Sequence, residues 1–364
     1  MAWTDRYVDA SAAGGGTGTS PADPWTLAEA VSNTALGMRV NFKAGTYTNT
    51  ANLYHNVTAD ATNPILWRGY KTTPGDLDGT FTGNLVDGTD IPLIDHQAGY
   101  LILDTAYHHL IGMSFKNSHT GAPAFYDRRG FSFTKNCRFT MGAVVGYAID
   151  TNVGFDSFLN CEFVSEVTPT IAILEGIAPS SYTRCLFKGD GTGTGVNLQG
   201  HGHFFNQCVF YNLNAGINST NDRPDVHNCT FVDIADDAIY NSVINQGSSF
   251  IGNYFYNVGG YCFGNGSTNG NGIQIMSGNA YYNSPNRIEG GGNVGEYDDI
   301  ADSSDQFEDY AAGDFTLKST SNAYNVGLGG FWSLPTTAYG DSGAVGHQDP
   351  SGGGGATVHP LYAN

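Results

Sequence analysis

Between residues 108 and 283, apolar and polar positions recur in a fixed phase. In eight successive segments a mostly apolar position is followed three residues later by a small or polar residue, usually Cys. An aromatic residue comes two positions after that. The middle position holds Met113, Cys137, Cys161, Cys185, Cys208, Cys229, Asn253 and Asn279. Three residues earlier stand Leu110, Thr134, Phe158, Tyr182, Phe205, Val226, Phe250 and Met276. Two residues later stand Phe115, Phe139, Phe163, Phe187, Phe210, Phe231, Phe255 and Tyr281. The middle positions are spaced by 24, 24, 24, 23, 21, 24 and 26 residues. A period in this range marks a repeat architecture, in which each unit packs only on its neighbours.

A step of two keeps Cys and the following aromatic on one face of a strand. A step of three between two inward positions requires a bend or bulge. Gly, Asn and Asp clusters then punctuate each segment, as in Asp190–Gly195 and Asn257–Gly260. A second short strand follows, as in Gly146–Asp150, Thr170–Leu174, Gly195–Leu198 and Asp237–Tyr240. With no helical stretch between them, such coils predict an all-β parallel β-helix rising by ~4.8 Å per coil. The cysteines then form an interior column of reduced, packed thiols. Disulfides between neighbouring coils are the rival reading. Zinc has little support without a CxxC pair. Cys262 lies off the column and is read as core. Asn136, Asn160 and Asn228, with Arg184 and Gln207 in the equivalent place, point away from the Cys and read as structural turn residues.

The predicted organisation is a strand, Gly-rich turn and helical cap over 1–38, a β-helix over 39–290, an irregular C-terminal cap over 291–350, and a Gly-rich linker and tail over 351–364. Residues 24–35 are the best helix candidate, with Leu27, Ala30 and Val31 on one apolar face. The tail carries Val358, Pro360, Leu361 and Tyr362, which fit either a frayed end or a docking peptide.

Composition narrows the partners. The chain has 364 residues, 50 Gly, 21 Phe and 21 Tyr, with 13% charged residues and a net charge of −19. That charge disfavours nucleic acid and anionic membranes, and polyanionic sugars unless a basic strip or bridging Ca²⁺ intervenes. No cofactor is expected beyond such Ca²⁺. No apolar run follows Met1, so neither membrane insertion nor secretion through a cleaved leader is expected.

The stretches Tyr7-Val-Asp9, Pro24–Val31, Ala44-Gly-Thr-Tyr47, Trp67–Asp76, Phe307–Leu317 and Gly343–Gly346 resemble the right-handed parallel β-helix, pectate-lyase-like superfamily, and cover nearly the whole chain. Their combination is similar to uncharacterised phage and environmental-virus proteins. The resemblance implies a right-handed β-helix but no single activity, since the superfamily holds lyases, hydrolases, tailspikes and non-enzymatic adhesins. The polygalacturonase-like motif order is absent. Gly200-His201-Gly202 and Asp236-Asp237 occur in reversed order, and the Asn-Thr-Asp and Arg-Ile-Lys motifs are missing, so these residues read as turns. Lyases of the superfamily use a Lys or Arg base. Arg128-Arg129 is the densest cationic pair here, with Arg184 and Lys188 two coils away.

The strongest carboxylate candidates are Asp150 and Glu175 on the second strand, one residue out of register by the 24-residue period. Two carboxyls on adjacent coils suit acid/base cleavage of a glycosidic bond. Gln199, Asn218 and Asn241 continue that column as candidate sugar-hydroxyl ligands. The favoured expectation is a non-enzymatic virion surface protein, such as a capsid decoration, fibre or tailspike-like component. It would act in assembly or host-glycan attachment, with further copies of itself or other virion subunits as partners. The alternatives are a polysaccharide depolymerase, hydrolase or lyase, and a non-catalytic extracellular glycan adhesin.

Overall fold

The computed structural model describes residues 2–57, 59–79, 85–119, 125–127, 130–143, 149–151, 155–167, 172–176, 179–200, 202–220, 223–242, 248–265, 274–289, 294–297, 300–301, 307–309 and 314–318. The chain divides into two compact units, Met1–Phe81 with Leu85–Ser181, and Thr82–Asn84 with Tyr182–Asn364. Each is a parallel β-solenoid whose coils pass through three sheet faces in turn.

In the first unit, face one carries Thr4–Val8, Met38–Lys43, Ile65–Tyr70, His108–Ile111, Phe133–Lys135 and Asp156–Leu159. Face two carries Thr46–Asn49, Leu93–His96, Ser114–Asn117, Arg138–Met141 and Glu162–Ser165. Face three carries Leu53–His55, Leu101–Leu103, Phe125–Asp127, Ile149–Thr151 and Leu174–Gly176. Parallel pairing begins at Thr4, which lies opposite Met38, so the solenoid starts before the residue 39 expected from the sequence.

The expected helix is present as Leu27–Asn33, with Leu27, Ala30 and Val31 buried. A capping box sets its start: the Glu29 N–H donates to Thr26 Oγ1 at 3.2 Å and the Thr26 N–H to Glu29 Oε2 at 2.8 Å. Its Val31 carbonyl meets His55 Nδ1 at 3.0 Å.

In the second unit, face one runs from Phe204–Asn206 to Val294–Tyr297, face two from Leu186–Lys188 to Ile300–Ala301, and face three from Thr194–Leu198 to Asn286–Ile288. Strands past residue 290 therefore still join the parallel sheets. The antiparallel pair Phe307–Asp309 and Asp314–Leu317 packs Phe307, Phe315 and Leu317 on Val209, Val232, Tyr254 and Tyr256, along the outer flank of face two. Residues 319–364, including the linker and tail, lie outside the described residues.

The bend implied by the three-residue step has a single backbone cause. The residue before each middle position adopts a left-handed conformation: φ is 65° at Gly112, 52° at Asn136, 53° at Asn160, 54° at Arg184, 54° at Gln207, 52° at Asn228, 65° at Gly252 and 64° at Gly278. Each turns the chain from face one to face two and returns the next side chain to the interior.

Behind the bend the aromatic column is continuous within each unit. Phe139 stacks on Phe115 and Phe163 at 5.4 Å each. Phe210 stacks on Phe187 and Phe231 at 4.7 and 4.6 Å, and Phe255 on Phe231 and Tyr281 at 5.1 and 5.3 Å. The column also extends toward the N-terminus, where Tyr47 pairs with Ile94 and Ile94 with Phe115. All six cysteines, Cys262 included, are buried and free.

Candidate functional site

The middle column is buried at every one of its eight positions. Burial raises the Cys137 and Cys229 thiols well above their ordinary range, whereas at Cys208 the effect of burial is outweighed by hydrogen bonds with Cys185 and Cys229, which pull that thiol down. Among the described residues no group of three or more His, Cys, Asp or Glu could hold a metal ion.

Along face three of the first unit a set of tyrosines gathers on the outer side. In the first unit, Tyr54 is 55% exposed. Its ring meets Tyr100 edge-on at 5.6 Å, and the two hydroxyls hydrogen-bond. Tyr100 in turn meets Tyr126 at 6.0 Å and 76°. The three rings form a track along the coil axis, each meeting the next edge-on, with Tyr54 exposed and Tyr100 and Tyr126 half-buried.

The strand register carries this track to the two carboxylate candidates. Tyr126 lies opposite Asp150, and Asp150 lies opposite Glu175. The expected one-residue slip is therefore absent: the intervening loops absorb the extra residue, and the strands pair in register. The side chains of Asp150 and Glu175 lie outside the described residues, so the juxtaposition is one of backbone positions. The tyrosines went unrecognised in the sequence because its aromatics read mostly as core. The period does reach one of them, since one 24-residue step back from Asp150 lands on Tyr126.

The polar column proposed for the second unit is not brought together. Asn218 lies between Asn197 and Tyr240, whereas Asn241 pairs with Ser219, one position on. Side chains alternate along a strand, so Asn218 and Asn241 point to opposite sides. Asn241 is buried, beside the interior Ser219. Gln199 follows the end of Thr194–Leu198 and is exposed. Coil lengths vary here, and a fixed step slips by one or more residues.

Asp236 and Asp237 occupy a turn, as expected. Asp237 Oδ1 accepts the Tyr261 N–H at 2.7 Å. Burial, with the charges of Asp236 and Glu289 as lesser causes, pushes the Asp237 carboxyl up. Gly264 makes room for it, because a Cβ there would stand 2.2 Å from Asp237 Oδ2. His201, Arg128 and Arg129 lie outside the described residues. Arg184 Nε donates to Gln207 Oε1 at 3.2 Å, and Lys188 Nζ lies 5.8 Å from the centre of the Tyr211 ring.

No family model matches the chain, and no curated protein matches it in sequence. Solved structures do match. Pectate lyase Pel9A superposes with a TM-score of 0.70 at 13% identity, covering 94% of this chain and 96% of that one. A rhamnogalacturonan lyase superposes with a TM-score of 0.53 at 13% identity, covering 84% and 91%. The fold is that of the pectate-lyase-like parallel β-helix. At this identity the likeness establishes the fold alone. Residue roles have to come from this chain's own surface.

Proposed function

We propose that this chain engages an extended polysaccharide laid along face three of its first unit. Tyr54, Tyr100 and Tyr126 supply the stacking surfaces, and Asp150 and Glu175 stand at the far end of the track. The observation that carries the reading is the register Tyr126–Asp150–Glu175, which aligns an aromatic track and two carboxylate positions on one sheet. Tyrosine suits such a surface because it offers an apolar ring with a polar tip. The fold it shares with two polysaccharide lyases supports the substrate class. The net charge of −19 favours a neutral glycan over a polyanionic one.

The sequence resemblance to phage and environmental-virus proteins supports placing this surface on a virion. Mass spectrometry of purified particles tests that placement, and absence from every particle fraction overturns it. The glycan reading is tested by affinity electrophoresis against a panel of capsular and cell-wall polysaccharides. Tyr54→Ala and Tyr126→Ala are each expected to weaken the retained interaction by tenfold or more, and unchanged mobility shifts would refute the track.

A second reading, cleavage of the bound chain, is favoured by the same register. Adjacent strands lie ~4.8 Å apart, on the order of the ~5–5.5 Å between the two carboxyls of retaining glycosidases.

A further inference from the structure

We infer that the second unit carries a glycan subsite of its own on face three. In it Tyr240 is the stacking platform, Asp237 and Asn218 accept sugar hydroxyls, and the surrounding carboxylates select a neutral sugar. The subsite rests on the polysaccharide reading and uses none of the tyrosines of the first unit.

The strand register assembles it. Along face three Asn197 lies opposite Asn218, Asn218 opposite Tyr240, and Tyr240 opposite Gly264. Ile288 lies opposite Phe263, so Glu289 comes next after Gly264 in the same column. An amide, an aromatic ring, a glycine and a carboxylate thus succeed one another along the coil axis.

The ring is available. Tyr240 is half-buried, and among the described residues it makes no ring contact and its hydroxyl no hydrogen bond. A tyrosine offers a sugar an apolar face and a polar tip. Beside the ring lies a notch made by glycine. Asp237 leans over the next coil, where its Oδ1 accepts the Tyr261 N–H at 2.7 Å. A Cβ at Gly264 would stand 2.2 Å from Asp237 Oδ2 and 3.0 Å from Tyr240 Cδ2. A side chain at 264 would therefore fill the space that the carboxyl and the ring share. Asp237 Oδ2 has no hydrogen-bond partner among the described residues, and it stands at the ring edge, within reach of the hydroxyls of a sugar stacked on Tyr240. On the other side of Tyr240, Asn218 Oδ1 is sheltered from solvent and has no partner. A sugar hydroxyl would complete that acceptor.

Charge sets the class of sugar. Burial pushes the Asp237 carboxyl up, and the charges of Asp236 and Glu289 add to the effect. Those same charges repel a uronate carboxylate laid on Tyr240. A neutral hydroxyl instead donates to Asp237 Oδ2 in a charge-assisted bond.

Affinity electrophoresis of the full chain tests the subsite, in gels containing dextran, galactomannan or xyloglucan, with polygalacturonate as the anionic control. The wild type is expected to be retained by a neutral polymer and not by polygalacturonate. Tyr240→Ala is expected to weaken that retention by about tenfold, and Tyr240→Phe, which keeps the ring, to preserve most of it. Asp237→Asn keeps the acceptor for the Tyr261 N–H and is expected to weaken retention by about threefold through the lost charge. Circular dichroism spectra of all three variants should match the wild type. Wild-type retention in Tyr240→Ala, or polygalacturonate bound as strongly as the neutral polymer, overturns the inference. A wild type retained by no polymer overturns this subsite and the polysaccharide reading together. Retention lost in Tyr54→Ala and Tyr126→Ala but kept in Tyr240→Ala leaves the track standing and removes the subsite alone.

Discussion

Asp150 and Glu175 lie directly opposite one another on adjacent parallel strands, although the loops between them break the 24-residue period by one residue. If the bound polysaccharide is cleaved, these positions hold the acid and the base. Asp150→Asn and Glu175→Gln are then each expected to lower the release of reducing ends by about 10²–10⁴-fold. Retention on the same polysaccharide should persist, because the tyrosine track is untouched. Both readouts come from one substrate, so cleavage that survives either substitution removes that residue from the chemistry. Binding lost together with cleavage would reassign it to holding the sugar.

The left-handed column before the middle positions makes a stability prediction with opposite signs two coils apart. Gly112, Gly252 and Gly278 occupy that conformation without strain, whereas Arg184 occupies it with a full side chain at φ 54°. Arg184→Gly should stabilise the protein by about 1 kcal/mol, less the small contribution of its exposed bond to Gln207. Asn136→Ala should destabilise by about 2 kcal/mol, since Ala tolerates the conformation poorly and the Asn136 amide also donates to the carbonyls of Leu77 and Gly79. Urea midpoints of the two variants should fall on opposite sides of the wild type.

The sequence made the coil interior legible and the coil exterior largely illegible, for one physical reason. Inward positions such as Phe139, Phe163 and Phe187 must stack on their like in the next coil, so packing enforces their period. Outward positions answer to no such neighbour. Tyr54 and Tyr100 belong to early coils interrupted by the long segment between Tyr70 and Leu93, and the period that found the thiols cannot find them. Asn241 was misplaced for the converse reason. It is an interior residue, and counting by a mean coil length moved it to the outer column. The helix was readable because its signal is local: Leu27, Ala30 and Val31 fall on one apolar face within a few residues.

Asn253 and Asn279 replace Cys in the interior column, and their bonds show what that column tolerates. Asn253 Oδ1 accepts the Cys229 N–H at 2.9 Å while its Nδ2 donates to the Val226 carbonyl at 2.9 Å. Asn279 repeats this with the Asn253 N–H at 3.0 Å and the Phe250 carbonyl at 3.1 Å. One coil back, the Cys208 N–H has only the Cys229 sulfur at 3.4 Å. Cys229→Asn would extend the amide ladder by one step and is expected to stay within about 1 kcal/mol of the wild type. Cys229→Ala removes the acceptor and should destabilise by about 1–3 kcal/mol, from the stranded N–H together with the lost packing. Chemical denaturation of the pair decides it, and an Asn variant no better than Ala would refute the ladder argument.

His55 and His108 predict an acid-sensitive first unit. Their rings lie 5.1 Å apart against Trp67, which is 5.8 Å from His55 and 4.8 Å from His108. Neither His108 nitrogen has a hydrogen-bond partner, nor has His55 Nε2. Burial holds both imidazoles below their ordinary value of 6.5, and for His108 the neighbouring His55 and His109 add to the effect. A histidine whose folded pKa is depressed contributes full stability above the unfolded pKa and loses it as pH falls toward the folded one. The loss therefore begins near pH 6.5 and steepens below it, by up to ~1.4 kcal/mol per pH unit for each residue. Carboxylates held low by their partners, such as Asp5 and Asp76, lose their stabilisation only below about 3.8, so the two windows separate. Melting temperatures between pH 7.5 and 5 should fall for the wild type and fall less for His108→Phe, which keeps the ring stack and removes the proton acceptor. Equal slopes for the two proteins would show that the buried pair is not what titrates.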